Sequence, residues 1–537
     1  MSNEVPVTIV GAGPVGLAMA VALARQGVAS RIVDIRNGPT DHPKARGVWA
    51  RTMEIFRQLG VEEQVRQNGL PPGSDAWSVV DALDDVVGRT SPEPIGTESP
   101  APKCIVSQDA VEEALGERAE GLSNIDLRWE TEFLGAEDEP DGVRVEVRNL
   151  KTGETSSWRS DYFIGADGGA GICAKVAGAE YEKTPILRTV QNIFFEADLG
   201  HYPWAADSAG ILVPSQELGE PFTFLNTNGR DRWLVGRGFD FEGEERKLEE
   251  TDERLVAFVR NALGLPGLPV RIISQGLWRV TRRIADRFRN GRFLLVGDAA
   301  HRFPPTGGFG MTSGIEDIHN LAWKLAFVLR GEADEKLLDS YDVERRNRAH
   351  ENATQAMKNY GRLVNMWAAA NSRDRDRIQF WVKDLVNHAN SKGHVLGFFY
   401  ESDAVISDGT TQPSHNPRYY TPTNRPGCRF PHMWLDQADG ISTLDWFDDK
   451  FVLVVGEDSA IWRAAVADAE LLLGIQIDVR EAPADHEEFG IVIGPRGANL
   501  VRPDGVSAWR IGWIPSEPTG ELVAALETIT GRRAAPA

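Results

Sequence analysis

VTIVGAGPVGLAMAVALARQGVASRIVDI, Val7 to Ile35, sets a short apolar strand, a glycine turn, a small-residue helix and a second strand in immediate succession. Gly11, Gly13 and Gly16 supply a tight turn, close backbone approach and close helix packing, with Pro14 between them. The free N–H groups of the following helix then face whatever anion sits at the turn. Asp34 closes the second strand eighteen residues after Gly16, where its carboxylate can accept both hydroxyls of an adenosine ribose. A glycine triplet alone is weak evidence. In strand–turn–helix–strand order it predicts a dinucleotide site rather than a βαβ unit used only for packing.

The chain around this unit has 537 residues, enough for two or three domains. Its 58 Lys and Arg against 79 Asp and Glu give a net charge of −21, which argues against a nucleic-acid partner. The three cysteines, Cys104, Cys173 and Cys428, have no CxxC spacing, so neither a disulfide framework nor a dithiol redox centre is expected. Ten histidines are scattered without an HExxH pattern, and no metal site is expected. With no secretory leader and no apolar run of membrane length, the reading is a soluble, cytoplasmic protein without a membrane partner.

Further along, residues 51–67 have helical spacing with a break near Gly60, and a helix starts at Ser107. VRVEV, 143–147, predicts a hairpin arm. QNIFFEAD, AGILVP, PFTFLN and RWLVGRGF, between about Thr184 and Val280, predict one broad antiparallel sheet. Its aromatics are core, or as a group the wall for a flat apolar ligand. Residues 334–400 read as helical, and Ser414–Arg429 as a domain boundary. A small α/β domain follows.

GRFLLVGDAAHRFPPTGGFGMTSGIEDIHNLAWKLAFVLRG, Gly291 to Gly331, repeats the buried strand and glycine turn. Asp298 ends the strand. Pro304 and Pro305 stiffen a turn, and Gly307, Gly308 and Gly310 remove side chains where a planar ring could approach the backbone. Thr312 or Ser313 is expected to cap the next helix. Asp298 as a turn-former and His301 as a local hydrogen-bonding residue are the plainer alternatives.

These runs, with GADG at Gly165–Gly168, resemble the class A flavoprotein monooxygenases, the aromatic hydroxylase family, over residues 1 to about 400. The resemblance implies FAD on Gly11, Gly13, Pro14 and Gly16, with Asp34 on the adenosine ribose. It implies Asp167 and Gly168 beside FAD and reduced nicotinamide, and Asp298 at the ribityl or pyrophosphate region. Pro305, Gly308, Gly310, Met311 and Thr312 belong to the same cofactor-facing run. Arg46 resembles the family arginine near the FAD and nicotinamide phosphates, and Gln108 the glutamine on the flavin chain. There are departures from the family: Ala170 and Gly171 stand where an Arg–Ser pair is usual, with Lys175 as a shifted source of charge. Thr312 replaces the usual asparagine.

The last 120 or so residues resemble the thioredoxin-like appendage of phenol-type and polyketide-type hydroxylases. Without CxxC, its expected role is packing or support of a homodimer. The implied architecture is α/β, with a Rossmann-like FAD-binding domain and its helical extension in residues 1–75, 101–183 and 281–400. A mixed or antiparallel substrate domain occupies 76–100 and 184–280, and a thioredoxin-like domain 415–537. The implied reaction uses NADPH or NADH, FAD and O₂ to hydroxylate a phenolic or polyketide-like ring ortho or para to its hydroxyl through a C4a-hydroperoxyflavin. Baeyer–Villiger insertion, epoxidation and a non-catalytic flavin-binding role are the alternatives. Trp49, Phe195, Trp204, Phe222, Phe224 and Trp233 are the expected substrate contacts. No catalytic base is singled out.

Overall fold

The computed structural model describes residues 4–533 apart from 44, 170, 183, 206–207, 216–217 and 240–249; Ala170 therefore lies outside the described residues. At its centre the strand Glu4–Val10 pairs in parallel with Ser30–Val33 on one side and Thr155–Gly165 on the other. Ile125–Arg128 and Phe293–Leu295 extend the parallel set outward. Both faces are covered, which is why these strands read as continuous apolar runs. The chain leaves Glu4–Val10 toward one neighbour and returns on the other side, so the strand ends at Val10, Val33, Gly165 and Leu295 border one crevice. In an open parallel sheet, that crevice is where ligands bind. The expected arm at 143–147 lies within Gly142–Asn149, paired with Thr131–Glu139 and with the start of Thr155–Gly165.

A second, seven-stranded sheet runs in the order 271–280, 188–196, 232–239, 221–226, 208–214, 76–82 and 85–89. It is mixed, because 208–214 and 76–82 are parallel. One face is covered by the helix Asp252–Leu263, and here the structure corrects the expected substrate wall. Phe195, Trp204, Phe222, Phe224 and Trp233 all lie in the core beneath that helix, with Leu255, Phe258 and Val259. Side chains alternate along a strand, so the opposite face presents Asn192, Phe194, Thr223 and Leu234 instead. That face meets the long helix Asp339–Ser372: Leu212 packs with Met366, and the Trp367 indole N–H donates to Thr223 Oγ1 at 3.0 Å.

The C-terminal sheet, in the order 477–481, 451–455, 498–501 and 507–511, is flanked by Ser459–Leu473 and Pro518–Thr530 in a thioredoxin-like arrangement. Its core also contains Trp323 and Phe327 of the helix Phe309–Leu329, each with its ring centroid within 6 Å of that of Phe451. The boundary read at Ser414–Arg429 is irregular in structure but is no solvated linker. Arg429 is fully buried and ion-paired with Glu54. Among the described residues no helix is long and apolar enough to cross a membrane.

Candidate functional site

Three glycine-bearing turns converge at the crevice. Gly11, with φ +105°, lies so close to Ala166 and Asp167 that a Cβ would collide with that turn. A Cβ on Gly16 would strike the Gly11 carbonyl. Val15, between them, touches both Gly297 and Gly314. Gly11 and Gly16 are thus glycines for the protein's own packing. Gly13 is different: a Cβ there meets nothing within 4 Å, and as N-cap of Pro14–Arg25 it receives no side-chain cap. Its smallness and the free N–H groups behind it suit an anion at the helix end.

Asp34 follows the second strand as expected, but its carboxylate is already engaged. Oδ2 accepts from the Ala12 N–H at 2.7 Å and from Arg36, and Oδ1 accepts from the Arg36 N–H and guanidinium. Its four lone-pair positions are filled, so Asp34 holds the glycine turn, and reaching a ribose requires Arg36 to move. Arg36 also pairs with buried Glu112 at 2.9 Å, and the Gln108 side-chain amide donates to Glu112 at 2.8 Å. Ser107 is the N-cap of Gln108–Glu120, though its hydroxyl makes no cap bond. Arg36 and Glu112 escaped the sequence reading; Arg36 beside Asp34 was an available signal, whereas Glu112 comes from the separate helix Gln108–Glu120.

Arg46 does not stand free for a phosphate. Its guanidinium donates to the backbone carbonyls of Ala209 and of Asn226, the latter at 2.6 Å, tying the nucleotide-binding half to the second sheet. Burial pushes its pKa down to about 9. Trp49 is likewise a brace. Its indole donates to the Gly307 carbonyl at 2.8 Å and its ring packs on Phe309.

Asp167 turns back on the chain and accepts the Cys173 N–H at 2.9 Å, while its Oδ1 is buried without a partner among the described residues. A Cβ on Gly171 would collide with this carboxylate, which gives the departure at that position a physical reason. Lys175 is exposed; the cation lying over the loop is Arg302, whose side chain occupies the space a Cβ on Gly169 would need.

The helix of the second motif begins at Phe309, with Gly308 as N-cap at φ +67°. The expected cap by Thr312 or Ser313 is therefore corrected. Thr312 lies in the first turn and donates back to the Gly308 carbonyl, and Ser313 Oγ accepts from Asn352. The first-turn N–H groups have no side-chain cap and remain open to a ligand, beside Gly310, where a Cβ meets nothing within 4 Å. Pro305 is exposed at the turn, whereas Met311 faces the main core. Asp298 has a half-exposed side chain, with its nearest cation, Arg302, 3.8 Å away. Buried Asp317 fixes the turn from behind. It accepts from the Gly297 N–H at 3.0 Å, contacts His301 Nε2 at 2.7 Å and is bonded by Arg345 at 2.8 Å. Asp317 and Arg345 were also missed, because helical spacing alone does not mark a charge as buried.

Residues 4–356 match a family model described as an FAD binding domain, and residues 423–533 one described as aromatic-ring hydroxylase, C-terminal. The chain is 34% identical to the tetracenomycin A2 monooxygenase-dioxygenase of Streptomyces glaucescens, over 99% of this chain and 98% of that protein. It is 31% identical to the 2,4-dichlorophenol 6-monooxygenase of Cupriavidus pinatubonensis, over 99% and 97%. The flavin-dependent monooxygenase PieE, solved with FAD and substrate, superposes with a TM-score of 0.89 at 29% identity, over 98% of each chain. Aklavinone-11 hydroxylase, solved with FAD and aklavinone, gives 0.83 at 28% identity, over 99% of this chain and 100% of that one.

Proposed function

The chain belongs to the FAD-dependent aromatic-ring hydroxylases, and on that premise we propose that it uses NAD(P)H and O₂ to hydroxylate a phenolic ring ortho or para to its hydroxyl. The observation that carries this reading is the division of labour among glycines: Gly11 and Gly16 are needed by the fold, whereas Gly13 and Gly310 are open toward the crevice. Such a cradle fits FAD. Gly13 and the helix behind it would hold the pyrophosphate, and Asp298 the ribityl hydroxyls. The uncapped helix end at Gly308 would favour negative charge on the pyrimidine edge of the reduced ring.

Reduced FAD, when bound, supplies the activation of O₂ from which one oxygen atom passes to the ring. The protein's part is to bind, orient and exclude water. Arg46 clamps the second sheet over the crevice. Trp49 and Phe309 wall off the glycine run, and the inner face of the sheet receives the ring. An electron-rich phenolate directs an electrophilic oxygen to its ortho and para carbons, so no nucleophilic triad is needed.

Gly13→Val tests the cradle. The position has extended backbone and open surroundings, so the fold should persist. FAD titration by calorimetry should then show binding nearly abolished and not restored by excess cofactor. Unchanged FAD affinity in this variant would remove the cradle from the account.

A further inference from the structure

The inner face of the seven-stranded sheet is rich in glycine at one end, where the His42 imidazole lies over Gly276. Val190 and Asn192 are flanked in register by Gly238 and Gly236 on one side and by Trp278 and Gly276 on the other. Arg188, two residues before Val190, points to the same face. A Cβ on Gly238 would collide with its guanidinium, so that glycine seats the group flat on the sheet. Trp367 of the long helix lies over it, with the guanidinium carbon 5.5 Å from the ring centre. Among the described residues its nearest carboxylate, Glu220, is 4.0 Å away and half exposed. Arg188 Nε is buried with no acceptor, and so is the indole N–H of Trp278, its diagonal neighbour. Diagonal neighbours in a sheet lie about 7–8 Å apart. A buried N–H of the guanidinium itself and one indole N–H near it, with no acceptor among the described residues, describe a place for an anionic oxygen.

The long helix gives the distance from the reaction centre. Asn359 abuts Gly307 in the flavin-facing turn, and Trp367 follows eight residues later on the same helix. At 1.5 Å per residue the separation is about 12 Å, more than a single phenol ring spans.

Resting on the hydroxylase reading, we infer that the substrate is an extended fused-ring aromatic bearing an anionic oxygen, a carboxylate or an ionised hydroxyl, at the end far from the flavin. Arg188 binds that oxygen, seated by Gly238 and Trp367. Simple phenols then lack the distal contact, and Arg188 sets specificity by size and charge together.

Calorimetric titration of the FAD-loaded enzyme with anthraquinone-2-carboxylate, 2-hydroxyanthraquinone and unsubstituted anthraquinone tests this. At a pH where the aryl hydroxyl is ionised, both charged ligands should bind at least about tenfold more tightly than the uncharged one, as a charge-assisted hydrogen bond implies. A preference for one charged ligand identifies the carboxylate or the ionised hydroxyl. Arg188→Met should abolish the preference, and Glu220→Gln, which removes a competing anion, should enlarge it. These opposite signs separate recognition from damage to the fold. An unaltered preference in Arg188→Met, or none in the parent enzyme, overturns the inference. Binding of none of the tricycles also overturns it. Stimulation of NAD(P)H oxidation by simple phenols then shows whether the hydroxylase reading survives on its own.

Discussion

Asp298 and Asp317 belong to one sequence run, yet the fold treats them oppositely. The Asp298 side chain is 51% exposed and its nearest cation is 3.8 Å away, whereas Asp317 is fully buried among Gly297, His301 and Arg345. Asp298→Ala should leave the thermal midpoint of the FAD-free protein unchanged. FAD affinity should fall by the worth of a charged hydrogen bond, about 1.5–3 kcal/mol, or roughly 10- to 150-fold. Asp317→Ala should instead destabilise by about 1.5–3 kcal/mol, the worth of a buried charged hydrogen bond, since the Gly297 N–H and His301 lose their acceptor while Arg345 keeps Glu316 at 3.2 Å. Denaturant titration with parallel FAD titration separates the two; equal stability losses would mean that the turn is fixed some other way. Burial opposes the charge on Asp317, but His301 and Arg345 outweigh it and lower its pKa. The sequence placed Asp298 at its strand end because that signal is local. It did not reveal Asp317, whose partners come from the Gly297–His301 turn and from the long helix. Asp34 shows the same limit: its position was legible, but its saturation by Ala12 and Arg36 was not.

Between elements, two buried ion pairs join the C-terminal domain to the nucleotide-binding half. Arg429 meets Glu54, and Arg502 meets Glu344 at 2.7 Å in the long helix, next to Arg345, which holds Asp317. Together with Trp323 and Phe327 in the C-terminal core, they predict that the two parts unfold as one. Arg429→Ala should cost about 1.5–3 kcal/mol, because Glu54 keeps buried Arg51 at 3.0 Å, whereas Glu54→Ala removes the shared carboxylate from both guanidiniums and should cost about 3–5 kcal/mol. Urea unfolding followed by tryptophan fluorescence checks both points, and a separate early transition of the C-terminal domain would contradict them. Strand alternation in the second sheet was readable, and so was its aromatic richness. Which face those aromatics occupy depends on the Asp252–Leu263 helix packing against them, and no pattern within a strand carries that information.

For the molecule as a whole, pH dependence follows from its buried histidines. Burial pushes His388 down to about 3 and His432 to about 4, and holds His319 and His394 well below the ordinary range. Unfolding returns each to about 6.5. The unfolded chain therefore binds more protons below that pH, and these groups lower stability as pH falls, with no effect above it. Glu54 has its pKa lowered because Arg429 and Arg51 outweigh the burial that opposes its charge. Its contribution persists until pH falls below the ordinary carboxylate range. Melting temperature should hold from pH 8 to about 6.5 and then decline; a rise on acidification would contradict this. The central claim is the chemistry at the crevice, and its most direct test is isotopic. Purified FAD-loaded enzyme is supplied with NAD(P)H and ¹⁸O₂ across phenols and fused-ring phenols, and the products are identified by mass and structure. The account predicts one labelled oxygen, as a new ring hydroxyl ortho or para to the existing one. Label appearing in an ester or epoxide, or FAD turnover that leaves every aromatic unlabelled, would contradict it.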